Sequence, residues 1–397
     1  MEFTLTQEQE QQKKEFQAYF EAKMKEAPPG WIGGEEEIYS TDENWAFHLD
    51  VARDLGQMGW LSLNWPRKYG GQEHSPIDQL LFNEVRGYYN APGVDLMGVM
   101  MLSPTLLAMG TEEQREEHLP YIARGERMWC QGSSEPNAGS DLASLTTRAI
   151  RQDGYYIVDG QKTWTSGAHR VDWCFAMVRT NPAERRSRGL SFLLIDMKTP
   201  GITVCPVKDM AKNYMWNEVF FDGVKVPLSN CIGGENQGWA VMRALMNFER
   251  SNAGMLFGQA RHNLEHLMQF CQETFKNGKP LAQDPLVRHR LAEIAIEIEV
   301  GLAMAYYVAW VRQKGGQPIA ESSAVKVWGA EFYQRLAYIG CQILGLYGQV
   351  KRDSKWAPLQ GRFEMAYQTA KSWDIGGGIS EIQRNLIAQV GLGLPRI

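Results

Sequence analysis

Small polar residues are concentrated in the segment Ser134–Asp141, which reads SEPNAGSD. Its proline and glycine hold backbone amides open, and such a loop can donate hydrogen bonds to a flat heteroaromatic ligand or to a phosphate. A turn rich in serine and aspartate explains the same residues equally well. Taken alone, the segment is therefore a candidate binding loop whose ligand stays undecided.

A second segment, Gly160–Gly167, reads GQKTWTSG and combines an aromatic ring with hydroxyl groups. In a strand, Trp164 and Ser166 face the same side. An aromatic plane beside a hydroxyl donor would suit the ring of a flavin. In isolation, a core tryptophan beside a hydrogen-bonded serine is the commoner outcome, because single aromatic residues in strands usually pack.

The third segment, Met246–Arg250, lies in a predicted long helix and carries the adjacent charges Glu249 and Arg250. Adjacent residues of a helix do not face each other. One interpretation is a solvated helix face. The other is that Glu249 points inward as a general base and leaves Arg250 for another partner, and periodicity does not choose between them.

Three consecutive glycines, Gly376–Gly378, end one helical pattern before Ile379 or Ser380 begins the next. Glycine lets the backbone approach a ligand closely, and the free N–H groups of a helix start can bind an anionic or carbonyl oxygen. A turn between helices needs fewer glycines, so the run favours a functional role.

A metal site is not expected from the histidines and cysteines. His262 and His266 have the i,i+4 spacing of ligands on one helix face. They lack a third ligand, and no glutamate stands beside either histidine, as the metalloprotease helix motif requires. The six cysteines are all more than four residues apart, so neither a zinc knuckle nor a redox pair is predicted.

Length and composition limit the class of protein. The 397 residues suggest two or three domains, and 44% apolar with 22% charged residues is the balance of a globular chain. The net charge of -5, without a basic block, makes nucleic acid or an anionic membrane a poor partner. The acidic, polar start is unlike a signal peptide, so we expect a cytoplasmic protein without a membrane span.

The elements that must position these segments follow a simple order. Trp45, Leu49, Ala52 and Leu55 line one face of a predicted helix. From about Met128, short runs rich in aromatic and β-branched residues predict strands. Asp-Gly pairs at 153–154 and 159–160 predict tight hairpins between some of them.

Helical periodicity returns after Gly238, and Leu291–Val311 is apolar on nearly every side, which is typical of a helix buried in a bundle. The sequence therefore predicts an α+β multidomain protein. Its domains would be an N-terminal helical domain (1–127), a central antiparallel β domain (128–235) and a C-terminal long-helix bundle (236–397).

The order and spacing of these segments resemble the acyl-CoA dehydrogenase family over nearly the full chain. The C-terminal Leu392–Arg396 and the glycine run look most like the branch that acts on CoA thioesters from steroid, aromatic and alicyclic degradation. The matching stretches are Trp65–Gly71, Ser134–Asp141, Gly160–Gly167, Phe220–Pro227, Gly233–Trp239, Glu249-Arg250 and Gly376–Arg384.

The resemblance implies a bound FAD, α,β-dehydrogenation of an acyl-CoA thioester and electron transfer to an electron-transfer flavoprotein. Much of the family carries its catalytic glutamate in the last motif, where Gly377 stands here. A second subset carries it on the long helix just before an arginine, as Glu249 and Arg250 do. The resemblance thus implies Glu249 as the base that takes the α-proton and the Gly377 N–H as a donor to the thioester oxygen.

Other roles are implied position by position. Gln131, Ser133 and Ser134 would contact the flavin edge, Trp164 would lie against the ring, and Ser166 would donate toward N5. The remaining positions are Ser140, near the CoA part of the substrate; Asn247 and Arg250, in the pantetheine channel; Gln342 and Gly345, reaching the FAD of a neighbouring subunit; Ile379, at an FAD-contacting position; and Glu381, near the adenosine side.

Two departures from the family pattern bear on FAD binding. Ile379 replaces the usual threonine, which removes one hydroxyl contact, and Thr274–Lys279 lacks an arginine that reaches a neighbour's FAD pyrophosphate. Lys276 or Lys279 could replace it as a point charge. This motivates the hypothesis of a hetero-oligomer with a related subunit that supplies the arginine; a homodimer or homotetramer is the alternative.

Two other functions fit the same fold. One is an oxygen-using flavoenzyme, either an acyl-CoA oxidase or a flavin monooxygenase; a monooxygenase needs no carboxylate base, so Glu249 argues against it. The other is a non-catalytic subunit of a heteromeric dehydrogenase, in which replacing Glu249 would change nothing.

Overall fold

The chain folds into two compact units. The structure is a computed structural model that describes residues 4–184, 186–249 and 253–395, with the backbone only for 247–249 and 253. One unit, here called the sheet unit, comprises Gly34–His74 and Pro92–Glu249; the other, the helical unit, comprises Met1–Gly33, Ser75–Ala91 and Arg250–Ile397.

The described helices and strands follow the predicted order of helices, strands and helices, which confirms the fold class. The helices are α1 Gln7–Lys23, α2 Glu35–Ile38, α3 Asp42–Gln57, α4 Pro76–Tyr88, α5 Ser103–Met109, α6 Glu112–Ala123, α7 Gly238–Glu249, α8 Ala253–Glu273, α9 Pro285–Gln313, α10 Ile319–Leu344, α11 Arg362–Ile375 and α12 Ser380–Leu386. The strands are β1 Trp129–Gly132, β2 Arg148–Gln152, β3 Tyr155–Lys162, β4 Trp173–Arg179, β5 Leu190–Asp196, β6 Ile202–Val207, β7 Trp216–Pro227, β8 Cys231–Ile232, β9 Phe275–Lys276 and β10 Lys279–Pro280.

Local capping explains where several helices begin. Thr6, Ser75 and Thr111 each accept a hydrogen bond from the third residue of their helix, whose side chain bonds back to the cap in a capping box. In α3, Ala52 and Leu55 of the predicted stripe are buried, while Trp45 and Leu49 are half-buried because the packed face is centred on Phe47, Val51 and their neighbours.

The sheet unit is organised around one sheet with the strand order β6-β7-β3-β2-β4-β5-β8, and β1 pairs with β4. Most pairs are antiparallel, but β1 and β2 each run parallel to β4. The Asp153-Gly154 hairpin prediction is confirmed: both residues have positive φ between β2 and β3.

The hairpin predicted at Asp159-Gly160 is wrong. Strand β3 continues through these residues, and a register shift against β7 between Val158 and Gly160 marks a β-bulge. A Cβ at Gly160 would lie 2.6 Å from Thr147 Oγ1, so the glycine serves a close strand crossing instead of a chain reversal.

In the helical unit, α4 and α8 pack at unusually short range. A Cβ at Gly258 would lie 2.0 Å from the carbonyl oxygen of Glu84, and one at Gly87 would lie 2.1 Å from that of Met255. The Glu84 carboxylate adds polar contacts, accepting from Lys13 Nζ and from the Tyr306 hydroxyl, each at 2.9 Å. Glycine at these positions thus permits backbone contact between the two helices.

Among the described residues, α9 is the one helix long and apolar enough to cross a membrane by length and composition. Its Ile294, Ile298 and Leu302 are buried in the core of the helical unit. One face of α9 therefore lies in the bundle core, as predicted, but Ile296 and Tyr307 are 63% and 43% exposed, so the helix is not buried on every side.

Candidate active site

The first candidate segment begins where β1 ends. Gln131 lies in β1, and its side-chain amide donates to Ser133 Oγ at 3.0 Å. Ser134 follows, and its carbonyl oxygen accepts from the backbone N–H of Thr163 at 2.9 Å. Gln131, Ser133 and Ser134 are all half-buried, so this part of the predicted loop is ordered by its own contacts and still accessible.

A buried ion pair lies beneath this loop. Lys162 Nζ donates to Glu135 Oε1 at 2.9 Å and to the carbonyl oxygen of Ser133 at 3.2 Å. The side chains of Lys162 and Glu135 are 0% and 5% exposed. Burial alone would raise the pKa of the Glu135 carboxyl, but Lys162 and donors from Thr146 and Thr147 lower it to about 2, so the carboxylate is ionised at neutral pH.

The second candidate segment differs from its prediction. Strand β3 ends at Lys162, and Trp164 has φ of 59°, in the left-handed region. The strand geometry predicted for Trp164 and Ser166 is therefore wrong, because the left-handed residue ends the ladder while Thr165 exchanges hydrogen bonds with Asn217. Trp164 is 60% exposed and Ser166 is 8% exposed, so the two side chains do not share one environment.

These two segments are joined within the sheet unit. Thr163 N–H and Lys162 Nζ bond to the carbonyl oxygens of Ser134 and Ser133, respectively. The predicted flavin-edge loop and the segment carrying Trp164 are thereby brought side by side. An exposed tryptophan held in a conformation that large L-residues rarely adopt is typical of a functional site.

The predicted base lies at the end of α7. Glu249 is the last residue of this helix, whose Val241 and Leu245 are fully buried. The side chains of Asn247 and Glu249 lie outside the described part of the structure, as does all of Arg250. Their predicted roles therefore stay predictions.

The glycine run forms a turn between α11 and α12 in the helical unit. Gly377 and Gly378 have φ of 67° and 92°. The buried Gln383 side chain donates to both of their carbonyl oxygens, at 3.0 and 3.1 Å. Ile379 is the N-cap residue of α12 and Glu381 lies exposed in its first turn, so the predicted helix start is present.

Three further predicted sites are accessible. Ser140 is exposed in the bend before Asp141. Gln342 lies near the end of α10, where its amide donates to the Tyr338 hydroxyl at 2.8 Å, and Gly345 follows with φ of 63° and open space on the side where a Cβ would stand. Lys276 and Lys279 are exposed on the β9–β10 hairpin.

No group of three or more histidine, cysteine, aspartate or glutamate side chains in the described residues could hold a metal ion. The rings of His262 and His266 contact each other, with centroids 4.2 Å apart. Burial, the nearby Arg362 and His266 lower the pKa of His262 to about 3, which describes a neutral packed ring.

Comparison with known proteins defines the class of protein. Models of the acyl-CoA dehydrogenase N-terminal, middle and C-terminal domains match residues 6–126, 130–224 and 236–392. The chain belongs to the acyl-CoA dehydrogenase family, whose members are flavoprotein oxidoreductases, and the resemblance inferred from the sequence is confirmed.

Individual members of the family show which relatives the chain resembles. It is similar to acyl-CoA dehydrogenase FadE26 of Mycobacterium tuberculosis, with 32% identity over 100% of this chain and 99% of that protein. Its fold matches a chain of the ChsE4-ChsE5 complex of the same organism, with a TM-score of 0.88, 33% identity and full coverage of both chains. A chain of the Tcur3481-Tcur3483 steroid ACAD matches with a TM-score of 0.90, 28% identity and full coverage of both chains.

The residues present fit a flavin cofactor. Trp164 offers an exposed ring face beside the loop. In the part of the chain that the structure describes, neither the Ser166 hydroxyl nor the Ser134 N–H has a hydrogen-bond partner. An accessible aromatic plane and open donors are what a flat heteroaromatic ring with carbonyl and nitrogen acceptors requires.

Sequence reasoning missed the supporting roles of four side chains: Lys162, Glu135, Asn217 and Gln383. Each bonds main-chain groups at least five residues away; Asn217 Nδ2, for example, donates to the Thr165 carbonyl oxygen at 2.9 Å. The one available signal was a lysine at an inward position of β3, where a charged residue needs a partner.

Proposed function

We propose that the chain catalyses FAD-dependent α,β-dehydrogenation of an acyl-CoA thioester. The observation that carries the proposal is the pair of joined segments, Gln131–Ser134 and Lys162–Ser166, in a chain of this family. They offer an exposed tryptophan ring and two donors, the Ser134 N–H and the Ser166 hydroxyl, that have no partner among the described residues. An ordinary packed hairpin would bury the tryptophan and satisfy the donors.

Glu249 is the proposed base that takes the α-proton. It follows the buried Val241 and Leu245 at intervals of four residues, the spacing of positions on one side of a helix. A carboxylate in apolar surroundings has a raised pKa, which makes it a stronger base toward a weakly acidic carbon. Gly377 is the proposed donor to the thioester oxygen, where negative charge develops as the α-proton leaves.

When bound, FAD supplies the acceptor for the β-hydrogen, which leaves with its electron pair to flavin N5. Trp164 and Ser134 are the residues of this chain proposed to hold the ring, with Ser166 donating near N5. The α-proton ends on Glu249 and two electrons leave the substrate, so a double bond remains between the α and β carbons. An electron-transfer flavoprotein is the proposed acceptor of these electrons.

The proposed substrates are acyl groups that carry rings or branches. The support is the similarity to a protein named as a steroid ACAD and the glycine run at the position where much of the family has a glutamate side chain. Removing a side chain there leaves room beside the reacting carbons for a bulky acyl group.

The proposed assembly is a hetero-oligomer with a related subunit. Two of the similar structures are named as two-component complexes, ChsE4-ChsE5 and Tcur3481-Tcur3483. The exposed apolar residues Ile296, Val300 and Tyr307 recur along one helix, α9, and Tyr338 and Tyr367 are exposed on α10 and α11. Apolar surface of this kind is typical of a subunit interface.

The decisive experiment replaces Glu249 by glutamine in the holoenzyme and follows flavin bleaching by acyl-CoA anaerobically. The variant should retain its yellow flavin and lose bleaching, because the amide cannot take the α-proton. Glu273→Gln, an exposed change near the end of α8, should bleach normally. Normal bleaching by Glu249→Gln would refute the assignment of the base.

Two further measurements test the substrate and the assembly. A panel of straight, branched, aromatic and alicyclic CoA thioesters should bleach the flavin fastest with ring-bearing acyl groups. Preference for straight chains would refute the substrate proposal. Flavin per protomer is expected below one for the chain purified alone, and one FAD per chain in a homo-oligomer would refute the hetero-oligomer.

A further inference from the structure

The Lys162–Glu135 pair is costly where it stands. Both side chains are withdrawn from water, at 0% and 5% exposure. Taking two charges out of water is often no more favourable than a pair of apolar side chains of the same size. An apolar side chain would fill this buried position at the end of β3 as well as a lysine does. The hydrogen bonds that Lys162 makes must therefore explain why a lysine stands there.

The carboxylate of Glu135 is fixed from several sides. Its Oε2 accepts from the Thr146 N–H at 2.7 Å and from the Thr146 hydroxyl at 2.8 Å. Its Oε1 accepts from the Thr147 N–H at 2.8 Å as well as from Lys162. The backbone N–H groups of Thr146 and Thr147, just before β2, thus hold this carboxylate in place. The carboxylate in turn fixes the position of the Lys162 ammonium.

The ammonium of Lys162 then holds one particular peptide group. Its bond to the carbonyl oxygen of Ser133 draws that oxygen inward, at 3.2 Å. In a planar trans peptide the next N–H points the opposite way, so the N–H of Ser134 faces outward. No described residue accepts a hydrogen bond from it.

The same side chain also sets a spacing. Lys162 precedes Trp164 by two residues and is itself bonded to the loop that carries Ser133. The Thr163 N–H bond to the Ser134 carbonyl adds a second link at 2.9 Å. The separation between the outward N–H and the exposed tryptophan ring is therefore determined by a single buried network.

We infer that Lys162 and Glu135 are a positioning pair that orients the Ser134 N–H toward the edge of a flavin ring and fixes its distance from Trp164. The inference deepens the proposed function and rests on its FAD site. Neither side chain touches the flavin; both act through the Ser133–Ser134 peptide. Because a reduced flavin carries more negative charge than an oxidised one, a fixed N–H donor at its edge stabilises the reduced form.

The test uses the holoenzyme with the double change Lys162→Met and Glu135→Gln. Methionine fills the volume without a donor, and glutamine leaves no unpaired charge while its single oxygen can still accept from one of the two threonine N–H groups. The matched control is Lys13→Met with Glu84→Gln, which removes a partly buried ion pair of the helical unit.

Four readouts are compared with wild type: thermal unfolding of the flavin-free protein, FAD affinity by titration, the flavin midpoint potential, and bleaching by substrate. The Lys162/Glu135 variant should lose no more thermal stability than the control, bind FAD roughly tenfold or more weakly (~1.4 kcal/mol) and have a lower potential. The Lys13/Glu84 control should lose thermal stability and keep wild-type FAD affinity and potential.

The outcomes distinguish failure of the inference about Lys162 and Glu135 from failure of the proposed function. Unchanged FAD affinity and potential in a folded Lys162/Glu135 variant would overturn the inference. It would also be overturned if both double variants lost FAD affinity in proportion to their loss of thermal stability. If the double variant does not fold, Lys162→Met alone is measured, in which the Thr146 and Thr147 donors still hold the Glu135 carboxylate. Unchanged FAD affinity and potential there also overturn the inference.

A wild-type protein that binds FAD but is bleached by no thioester would refute the proposed reaction. In that case the FAD readouts still decide the inference. A wild-type protein that binds no FAD even in its complete assembly would refute both.

Discussion

Glu36 is a buried carboxyl whose ionisation should make the stability of the protein depend on pH. It lies in α2 at 7% exposure. Burial, together with repulsion from Glu35, Asp209 and Glu37, raises its pKa from 4.5 to about 7, although its own backbone N–H opposes the shift. No basic side chain of the described residues pairs with it.

The sign and size of the effect follow from linkage. Between pH 4.5 and about 7 the folded protein holds a proton on Glu36 that the unfolded chain has lost. Stability therefore falls as pH rises through this window and the penalty is constant above it. A shift of ~2.5 pKa units corresponds to ~3 kcal/mol as an upper bound.

The perturbation is Glu36→Gln, which keeps the shape and cannot ionise. The variant should match wild type at low pH and gain up to ~3 kcal/mol by pH 8. Asp95, whose pKa burial raises to about 7 against opposing backbone N–H donors, contributes a similar dependence to both proteins. The difference between variant and wild type isolates Glu36.

The assay is thermal or urea unfolding of both proteins at pH 5 and pH 8, read as the change in the variant-minus-wild-type difference. Glu43→Gln in α3 is the control, since it removes an exposed carboxylate and should show no pH-dependent gain. An equal difference at both pH values would refute the reasoning. A variant less stable than wild type at pH 8 would show that the ionised carboxylate has a favourable partner.

Two further predictions concern the helical unit. Gly258→Ala should lower the stability of the protein by ~1–3 kcal/mol in thermal unfolding, although alanine has the better helix propensity. The reason is that the new Cβ would lie 2.0 Å from the backbone oxygen of Glu84. Unchanged stability would contradict backbone contact between α4 and α8. Gln383→Ala should lower kcat by about tenfold with little change in KM, because the proposed donor Gly377 loses the amide that orders its turn. Gln383→Glu, which keeps the shape without a donor, should lose as much, and wild-type kcat in it would contradict the role.

Patterns with a local physical cause were predictable from sequence. The capping box at Thr111 satisfies free N–H groups within one turn, and the Asp153-Gly154 hairpin needs two residues with positive φ. Both are decided by neighbours in the chain, so the residue types carry the information. The same Asp-Gly signal failed at residues 159–160, where the pairing of β3 with the distant β7 replaced the turn by a bulge.

The sequence predicted which segments form the candidate site, but it did not predict their conformation. The sequence marked Gly160–Gly167, but the left-handed conformation of Trp164 depends on Asn217, which exchanges hydrogen bonds with Thr165 from more than fifty residues away. The predicted base Glu249 stays a prediction, since its side chain lies outside the described residues. Tertiary hydrogen bonds to main-chain groups leave no periodic signal in a sequence.

The two loops proposed to bind flavin and thioester are ordered by the same physical device. In the sheet unit the Lys162 ammonium donates a hydrogen bond to the Ser133 carbonyl oxygen. In the helical unit the Gln383 amide donates to the carbonyl oxygens of Gly377 and Gly378. Small residues let each loop approach a ligand, but they also leave its peptide groups free to rotate. A buried donor that holds a carbonyl oxygen removes that freedom and turns the N–H of the same peptide the opposite way, which is the Ser134 N–H in one loop and the Gly378 and Ile379 N–H groups in the other. The Gly377 N–H belongs to the preceding peptide of the same ordered turn. Small residues alone therefore do not distinguish a turn from a binding loop; what these two proposed loops add is a buried side chain that donates to their carbonyl oxygens.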